Sequence, residues 1–443
     1  MALTEKSIRN IFIYAAPKFV SYGFNLITLP ILTRILTPDD FGIIALAWLF
    51  PTIAMSIFTL GLTAAVPRYY FEYRTNEEKL NALIFSSQVF LYLSLFISTF
   101  GVFFFKDYIS KLVMGSDKYG LAIFVTFVAA YLGQIVNFYL LLYQNMERAV
   151  IHSTFTVMQA VITAIVSLLL VWYFKMSYMG MIYGSLTSAV IVCFMISLYF
   201  NKNLKGIFNG RILFENIKYG LQLIPRSFTG FINRFFDKYM LNNMLSLSAV
   251  GVYNIGQTVG NATFFLMNTV WSSFQPVLYR EVFDKGKEGS VSAGRLFTIF
   301  SYVALFPVLL LILFAQELVY IIAPPSYYGA IDIIIIISAG VSTQVFGMFP
   351  SVQYAYTKKI YWSFPLSIIS AIVNVLANIV LIPRFGLIGA GLSVVISYIV
   401  LYSISTFIAQ KLHKIHYEWG KSILLYALIA SATVSVLYLR HIE

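Results

Sequence analysis

Thirteen stretches of roughly twenty apolar residues, each the length that crosses a bilayer as a helix, follow one another along this 443-residue chain. They lie at 11–33, 41–66, 82–105, 121–143, 151–173, 179–200, 213–241, 248–278, 296–322, 330–355, 362–382, 387–410 and 421–439. A helix can run through hydrocarbon because it satisfies its own backbone N–H and C=O groups. Composition agrees. The chain is 59% hydrophobic and only 11% charged, where a soluble domain carries about 25% charged residues. Folded in water, such a chain would leave large apolar surfaces exposed. The 31 tyrosines suit lipid, with the ring in hydrocarbon and the hydroxyl at the headgroups. The sequence therefore predicts an all-α polytopic membrane protein.

Loop charges give an orientation, because cytoplasmic loops hold the excess of Lys and Arg. The N-terminus and alternate loops hold nineteen, among them Lys6, Arg9, Arg74, Lys205, Lys285, Lys358 and Lys414; the other side holds seven, Lys111 among them. This places the N-terminus in the cytoplasm and, after thirteen crossings, the C-terminus outside. The start of the chain lacks a small-residue cleavage site before its first apolar run, so that run is expected to be a retained helix.

An internal repeat organises the chain. At an offset of 209 residues, Phe41-Gly42-Ile43 matches Val250-Gly251-Val252, Pro67 meets Pro276, and Tyr70 meets Tyr279. Glu72 meets Glu281, Gln144 meets Gln353, and Gly180 meets Gly389. Six spans separate the copies, so both have the same orientation, as in carriers that rock two halves about an axis along the membrane normal. The expected architecture is two six-helix bundles in parallel pseudo-twofold repeat plus one appended C-terminal helix. The expected domains are 1–205, 206–412 and 413–443.

Several function classes find little support. Cys193 is alone in an apolar run and forms no intramolecular disulfide. His413 and His416 are close, but no third ligand stands beside them, so no metal is expected and a solvated basic loop is the reading. The formal charge of +12 resides in loops and forms no basic stripe with interleaved aromatics, which argues against nucleic acid. No Walker lysine motif occurs, and no cofactor or catalytic residue is expected.

The charges inside the spans are informative. Lys18, Arg226, Arg234 and Lys238 fall within apolar runs, where a cation costs about 2.5–3.5 kcal/mol at a helix centre and normally faces a wet interior. Helical spacing places Lys18, Ser21, Tyr22 and Asn25 on one stripe, and Gln222, Arg226, Gly230, Asn233 and Asp237 on another. Asn254, Gln257, Asn261 and Asn268 recur on one face of the eighth span, and Asn374 and Asn378 lie one turn apart. Lys18, Arg226 and Arg234 are thus candidate anion ligands. Tyr22, Asn25, Gln222, Asn233, Asn254, Gln257, Asn261, Asn374 and Asn378 are candidate cavity linings. Asp237 is a candidate coupling or charge-neutralising partner. The competing reading is structural: Lys238 snorkels, Asp237 neutralises a basic neighbour, and the amides join helices. It is favoured for Lys238, Asp237 and Asn268, the functional one for Lys18 and Arg226, and neither for Arg234. Arg and Lys suit phosphate oxygens, and amides suit sugar hydroxyls.

Two segments carry a family likeness. Leu32-Thr-Arg-Ile-Leu-Thr-Pro-Asp-Asp-Phe-Gly42 resembles the opening of polysaccharide-transport proteins. Asn233-Arg-Phe-Phe-Asp-Lys-Tyr-Met-Leu241, followed by Leu247-Ser-Ala-Val-Gly-Val-Tyr253, is similar to the second-lobe counterpart. The chain resembles, over about residues 8–410, the Wzx-type lipid-linked oligosaccharide flippases of the multidrug/oligosaccharidyl-lipid/polysaccharide exporter superfamily. The resemblance implies a MATE-like fold in a bacterial plasma (inner) membrane. It implies an undecaprenyl-diphosphate-linked O-antigen or capsule repeat unit as cargo, with Lys18, Arg226 and Arg234 at the diphosphate. Partners implied are that saccharide lipid, membrane lipids, and polysaccharide polymerase and chain-length machinery. Thirteen spans depart from the twelve or fourteen of relatives. A cation-coupled multidrug exporter is one rival, although the first span holds no carboxylate. A membrane glycosyltransferase or polymerase is the other, with Asp39-Asp40 as its carboxylates, although these residues also suit the cap of the second span.

The charge bias predicts that cysteines introduced near Lys205 and Lys285 are shielded from impermeant thiol reagents in intact cells, and that one near Lys111 is labelled. Reversed labelling overturns the orientation.

Overall fold

The computed structural model describes residues 5–202, 206–440 and 442, leaving aside the side chains of residues 5–12, 14, 15, 18, 22, 25, 26, 226, 227, 233 and 234. All regular structure among the described residues is helical. In chain order come α1 (Glu5–Ile35), α2 (Pro38–Ala47), α3 (Leu49–Phe58), α4 (Leu62–Tyr73), α5 (Glu77–Met114), α6 (Gly120–Asn145), α7 (Ala149–Leu168), α8 (Ser177–Asn201) and α9 (Gly210–Met244). Then follow α10 (Leu247–Gly260), α11 (Ala262–Phe283), α12 (Ser290–Leu313), α13 (Ala315–Ile322), α14 (Ala330–Ser342), α15 (Val345–Tyr356), α16 (Ser363–Leu412) and α17 (Trp419–Arg440). Each predicted span falls on one helix, on a broken pair or trio, or, at 362–382 and 387–410, on the two limbs of α16 about Gly386. The chain is a multi-pass membrane protein.

The chain divides into two compact units, 1–231 and 232–443, with α9 beginning in the first and ending in the second. In the first unit α6 is central. Phe127, Tyr131, Phe138 and Tyr139 are buried there, and α6 packs on α3, α4, α5 and α8. The outward face of α5 is apolar, with Phe96 75% exposed and Ile97, Phe100 and Phe104 beside it, a surface that suits lipid tails. In the second unit α14 is central. Its run Ile331-Asp-Ile-Ile-Ile-Ile-Ile337 is buried on every face, as expected of a helix apolar all round. Gly256 and Gly260 of α10 let that run approach closely: a Cβ on Gly256 would lie 2.6 Å from Ile333 Cβ.

The repeat is visible in the geometry of each unit. Ile35 ends α1 and Met244, 209 residues on, ends α9; Pro38 begins α2 and Leu247 begins α10. The N-caps correspond too. The Thr37 hydroxyl accepts from the Asp40 N–H (3.2 Å), and the Ser246 hydroxyl accepts from the Ala249 N–H (3.1 Å). Asp40 returns the bond by accepting from the Thr37 N–H (2.9 Å) and also accepts from the Ser177 hydroxyl. Ser177 (φ 48°) and Gly386 (φ 57°) form the same left-handed break before the sixth span of each unit. Pro67 and Pro276 both sit inside helices. Gly180 and Gly389 both meet backbone of the preceding segment, at 3.0 Å and 2.2 Å from a built Cβ.

The register is not ungapped, however. The turn that ends α6 has its left-handed residue at Glu147, and the turn that ends α15 has it at Lys358, 211 residues later. The break between α14 and α15 at Thr343-Gln344 absorbs the difference. Gln144 and Gln353 are therefore not equivalent. Gln144 is exposed, whereas Gln353 is fully buried and donates to the His413 carbonyl.

That bond limits the expectation of a solvated loop at 413–416, where Lys414 and His416 are exposed but alternate residues are not. His413, Ile415 and Tyr417 are buried, and the segment is strapped to α12 and α15. The Ser290 hydroxyl donates to the Lys414 carbonyl (2.9 Å), the His416 N–H donates to Ser290 Oγ (3.1 Å), and Tyr417 reaches Gln353 Oε1 (3.4 Å). Gly294 makes room for it, since a Cβ there would lie 1.8 Å from the His416 carbonyl oxygen. Burial, assisted by the Lys287 ammonium, holds His413 below the ordinary imidazole range. The appended helix α17 then returns along α12 and α14.

In the first unit the tightest backbone approach joins the α3–α4 break to α9. Gly61 is left-handed (φ 65°), and a Cβ on it would lie 2.2 Å from the Gly220 carbonyl oxygen; one on Gly220 would lie 2.5 Å from that of Leu60. We expect Gly61→Ala to be the more damaging change, combining about 1–2 kcal/mol of left-handed strain with a clash of about 1–3 kcal/mol. Gly220→Ala should show the clash alone. Gly101→Ala, with nothing within 4 Å, should be neutral or slightly stabilising. Thermal midpoints of the purified protein check this order.

Candidate functional site

Polar side chains inside each unit follow one rule of hydrocarbon chemistry: each hydroxyl or amide hydrogen needs an acceptor within the protein. In the first unit, α1 and α7 pack along their lengths, and the Ser153 hydroxyl donates to the Ile13 carbonyl (2.6 Å). Between them lies a chamber of about 330 Å³. Ser21, Phe24, Thr28 and Leu32 of α1 line it with Thr156, Gln159, Ala160, Thr163 and Ser167 of α7. A second chamber of about 430 Å³ is lined by Thr52 and Met55 of α3, Gly133 and Gln134 of α6, and Ser185 of α8, again with Gln159 and Thr163. Those two residues belong to both chambers. No charged residue is among the described residues lining either.

Most of the hydroxyl hydrogens are accounted for. Thr156 donates to His152 O (2.8 Å), Thr163 to Gln159 O (2.8 Å), Ser185 to Met181 O (3.1 Å) and Thr52 to Trp48 O (2.6 Å). Gln134 donates to Thr63 Oγ1 (2.7 Å). The main-chain carbonyl of Gln159 also accepts from Ser188 (3.1 Å). The chambers therefore present mainly hydroxyl lone pairs together with the Gln159 carboxamide. Sequence reading missed Thr156, Gln159, Thr163 and Ser167. Their spacing of three and four in an otherwise apolar helix is the same signal that marked the stripes on α1 and α9.

In the second unit, α9 and α10 meet through a buried polar cluster. Asp237 is 2% exposed and accepts from the Tyr253 hydroxyl, from Gln257 Nε2 (3.2 Å) and from the Lys238 N–H (2.9 Å). Lys238, 6% exposed, donates from Nζ to Asn254 Oδ1 (2.8 Å) and lies 5.4 Å from the Phe235 ring centroid. It is buried in protein and does not snorkel to an interface. The geometry thus brings together three predicted residues, Asp237, Asn254 and Gln257, and adds Tyr253 and Lys238. A carboxylate with three donors and a lysine beside it is well satisfied.

The other predicted residues are distributed. Asn374 and Asn378 of α16 are buried and bonded to each other (3.1 Å), with Asn374 Nδ2 and Asn378 Oδ1 lacking a hydrogen-bond partner in the structure. Asn261 caps the junction of α10 and α11, where its carbonyl accepts from the Phe264 N–H (3.1 Å). Asn268 donates to Phe264 O within its own helix (2.8 Å). Gln222 of α9 is exposed. The side chains of Lys18, Tyr22, Asn25, Arg226, Asn233 and Arg234 lie outside the described residues, although the helices α1 and α9 that carry them are described. Asp40, considered above as a catalytic carboxylate, is engaged in its cap and by Ser177.

Comparison with known proteins follows from this fold. The chain covers 91% of its length and 97% of a multidrug resistance MATE family transporter of the MOP superfamily in its inward-facing conformation, at 16% identity and a TM-score of 0.70. It is similar to the lipid II flippase MurJ in an inward closed conformation, with 97% of each chain covered, 12% identity and a TM-score of 0.69. A MOP superfamily transporter from Pyrococcus furiosus, whose binding pocket has reverse polarity, is 13% identical with a TM-score of 0.63 over 91% of this chain and 95% of that one. These likenesses establish the fold. Among curated sequences, an uncharacterized membrane protein of Methanocaldococcus jannaschii is 26% identical over 215 residues, 47% of this chain. The match spans 41% of that relative's length. The family described as polysaccharide biosynthesis protein matches residues 7–280, well over half of the chain. This MATE-like, all-α membrane protein belongs to the polysaccharide biosynthesis protein family.

Proposed function

We propose that this chain is a flippase that turns an undecaprenyl-diphosphate-linked oligosaccharide repeat unit, of O-antigen or capsule type, from the inner to the outer leaflet of a bacterial plasma membrane. The observation that carries this reading is a polysaccharide-family chain, folded like both a MATE transporter and a lipid II flippase, with four cations in its predicted spans. Lys18, Arg226 and Arg234 are the residues proposed to hold the diphosphate. An arginine pairs two phosphate oxygens at once, and a lysine acts as a point charge. The two six-helix repeats would rock about an axis along the membrane normal, exposing the site to each leaflet in turn. Lipid binding and handover to a polymerase and chain-length machinery belong to the same proposal.

The drug-exporter alternative calls for an intramembrane carboxylate open to a coupling ion. Asp237 is on the right stripe, but Tyr253 and Gln257 already bond one of its oxygens and the Lys238 N–H the other. A glycosyltransferase would need free carboxylates, and Asp40 is held in its capping box. The flippase reading asks for neither.

Lys18→Ala and Arg226→Ala should each leave the protein inserted at normal levels while reducing surface polysaccharide about tenfold or more and accumulating lipid-linked precursor. That loss is the size expected for removing one charge-assisted hydrogen bond. Lys18→Arg should retain activity, and Arg226→Lys should be less well tolerated because the bidentate fork is lost. Normal surface polysaccharide from the double alanine variant, measured alongside protein level, would sink the assignment.

A further inference from the structure

The two chambers of the first unit have a chemistry that selects their occupant. Most of the hydroxyl hydrogens around them are already given to main-chain carbonyls: Thr156 to His152, Thr163 to Gln159, Ser185 to Met181. What these hydroxyls offer inward is lone pairs. An occupant must therefore bring its own donors. Gln159 adds the complementary capacity, because among the described residues its carboxamide makes no hydrogen bond to protein, and it stands on the shared wall of both chambers. A carboxamide without a partner costs about 1–3 kcal/mol when buried, so this one is expected to be solvated or ligated.

Charge narrows the choice further. No described lining residue is ionised, so neither a metal ion nor an ammonium finds a counter-charge among them. A neutral molecule bearing many O–H groups fits. Chambers of about 330 and 430 Å³ are also of the size that holds small ligands. The lining continues along α1 through Ser21 and Thr28, and Lys18 is one helical turn before Ser21 in sequence.

We propose that the Gln159–Thr163 wall of the first unit is a saccharide subsite, which takes hydroxyl groups of the neutral sugar portion of the cargo, separate from the cationic residues assigned to its diphosphate. Gln159 both donates to and accepts from sugar hydroxyls, and Thr156 and Thr163 accept from them. This inference rests on the flippase reading and deepens it: recognition is divided between charge for the diphosphate and hydrogen bonding for the sugar.

The test compares two lipids on the full-length protein in nanodiscs. One is bare undecaprenyl diphosphate. The other is the undecaprenyl-diphosphate-linked saccharide that accumulates in cells lacking this protein. The wild type should bind the saccharide lipid about tenfold more tightly, the ratio that one or two net hydrogen bonds supply. Gln159→Leu combined with Thr163→Val should abolish that preference and leave the Kd for the bare diphosphate unchanged. Ala164→Phe, which fills the first chamber, should do the same by exclusion. Retained preference in both variants, absence of preference in the wild type, or loss of bare-diphosphate binding in the variants overturns the subsite. Failure of cells lacking the protein to accumulate such a lipid, or failure of the wild type to bind either lipid, overturns the flippase reading itself.

Discussion

Hydrocarbon offers no hydrogen-bond partner, and that single condition shapes this chain from backbone to site. It forces every span into helix, and where a helix breaks, the freed groups must be collected at once. The α3–α4 break shows how. Leu60 and Gly61 turn left-handed, the Gly61 N–H bonds to Ser56 O (3.2 Å), and the bare backbone of Gly220 seals the other side. The same condition acts on side chains. Serines and threonines throughout the spans donate to the carbonyl one turn back, as Thr126 does to Ala122 (2.7 Å) and Ser301 does to Phe297 (2.7 Å). A hydroxyl so occupied costs little in a membrane, yet it retains an acceptor face. Polar cavities lined by such hydroxyls are biased toward ligands that donate.

The two units meet this condition with different side chains on one backbone plan. The first keeps its polar groups around open chambers, with Gln159 facing empty volume. The second gathers several of its own into bonded clusters, beside a chamber of about 450 Å³ lined by Thr343, Tyr402, Ser403, Thr406 and Gln410. Asp237, Tyr253 and Gln257 saturate one another, and Asn374 bonds Asn378. The repeat therefore preserves helix ends, caps and left-handed breaks while leaving the polar interior free to differ.

Much of this was legible in the sequence, for a stated reason. Apolar length marks spans because helix is forced there. The 209-residue offset also holds at helix ends, as with Ile35 and Met244, because the same caps and breaks recur. Asp39 and Asp40 were legible as the cap of the second span, and the structure adds Thr37 as the partner of Asp40 in a capping box. Other features depend on contacts far apart in sequence. The burial of the 413–417 strap needs Gln353 and Ser290, 60 and 126 residues from their partners, so a charged, histidine-bearing loop looked solvated. Tyr253 as the partner of Asp237 required the α9–α10 turn. The two-residue slip at Lys358 was hidden because one chance glutamine pair fitted the uniform offset. The α7 stripe is a different failure. Its signal was present, but threonines among apolar residues carry less weight than charges.

The appended helix shows why the second unit is not a simple copy of the first. Arg440 at the end of α17 bonds Asp332 Oδ1 (2.6 Å) and the Tyr328 carbonyl (2.7 Å) at the start of α14. Tyr426, midway along, donates to Ser342 O (2.8 Å) at the end of α14, and Phe346 stacks on Trp419. Together with the strap, these bonds fasten α17 to both ends of the helix on which the second unit is built. An intramembrane arginine and aspartate near a helix end are costly alone and inexpensive as a pair. Asp332 is thus occupied in holding the extra helix. In the second unit Asp332 and Asp237 are both engaged in bonds between helices, Asp332 from α14 to α17 and Asp237 from α9 to α10.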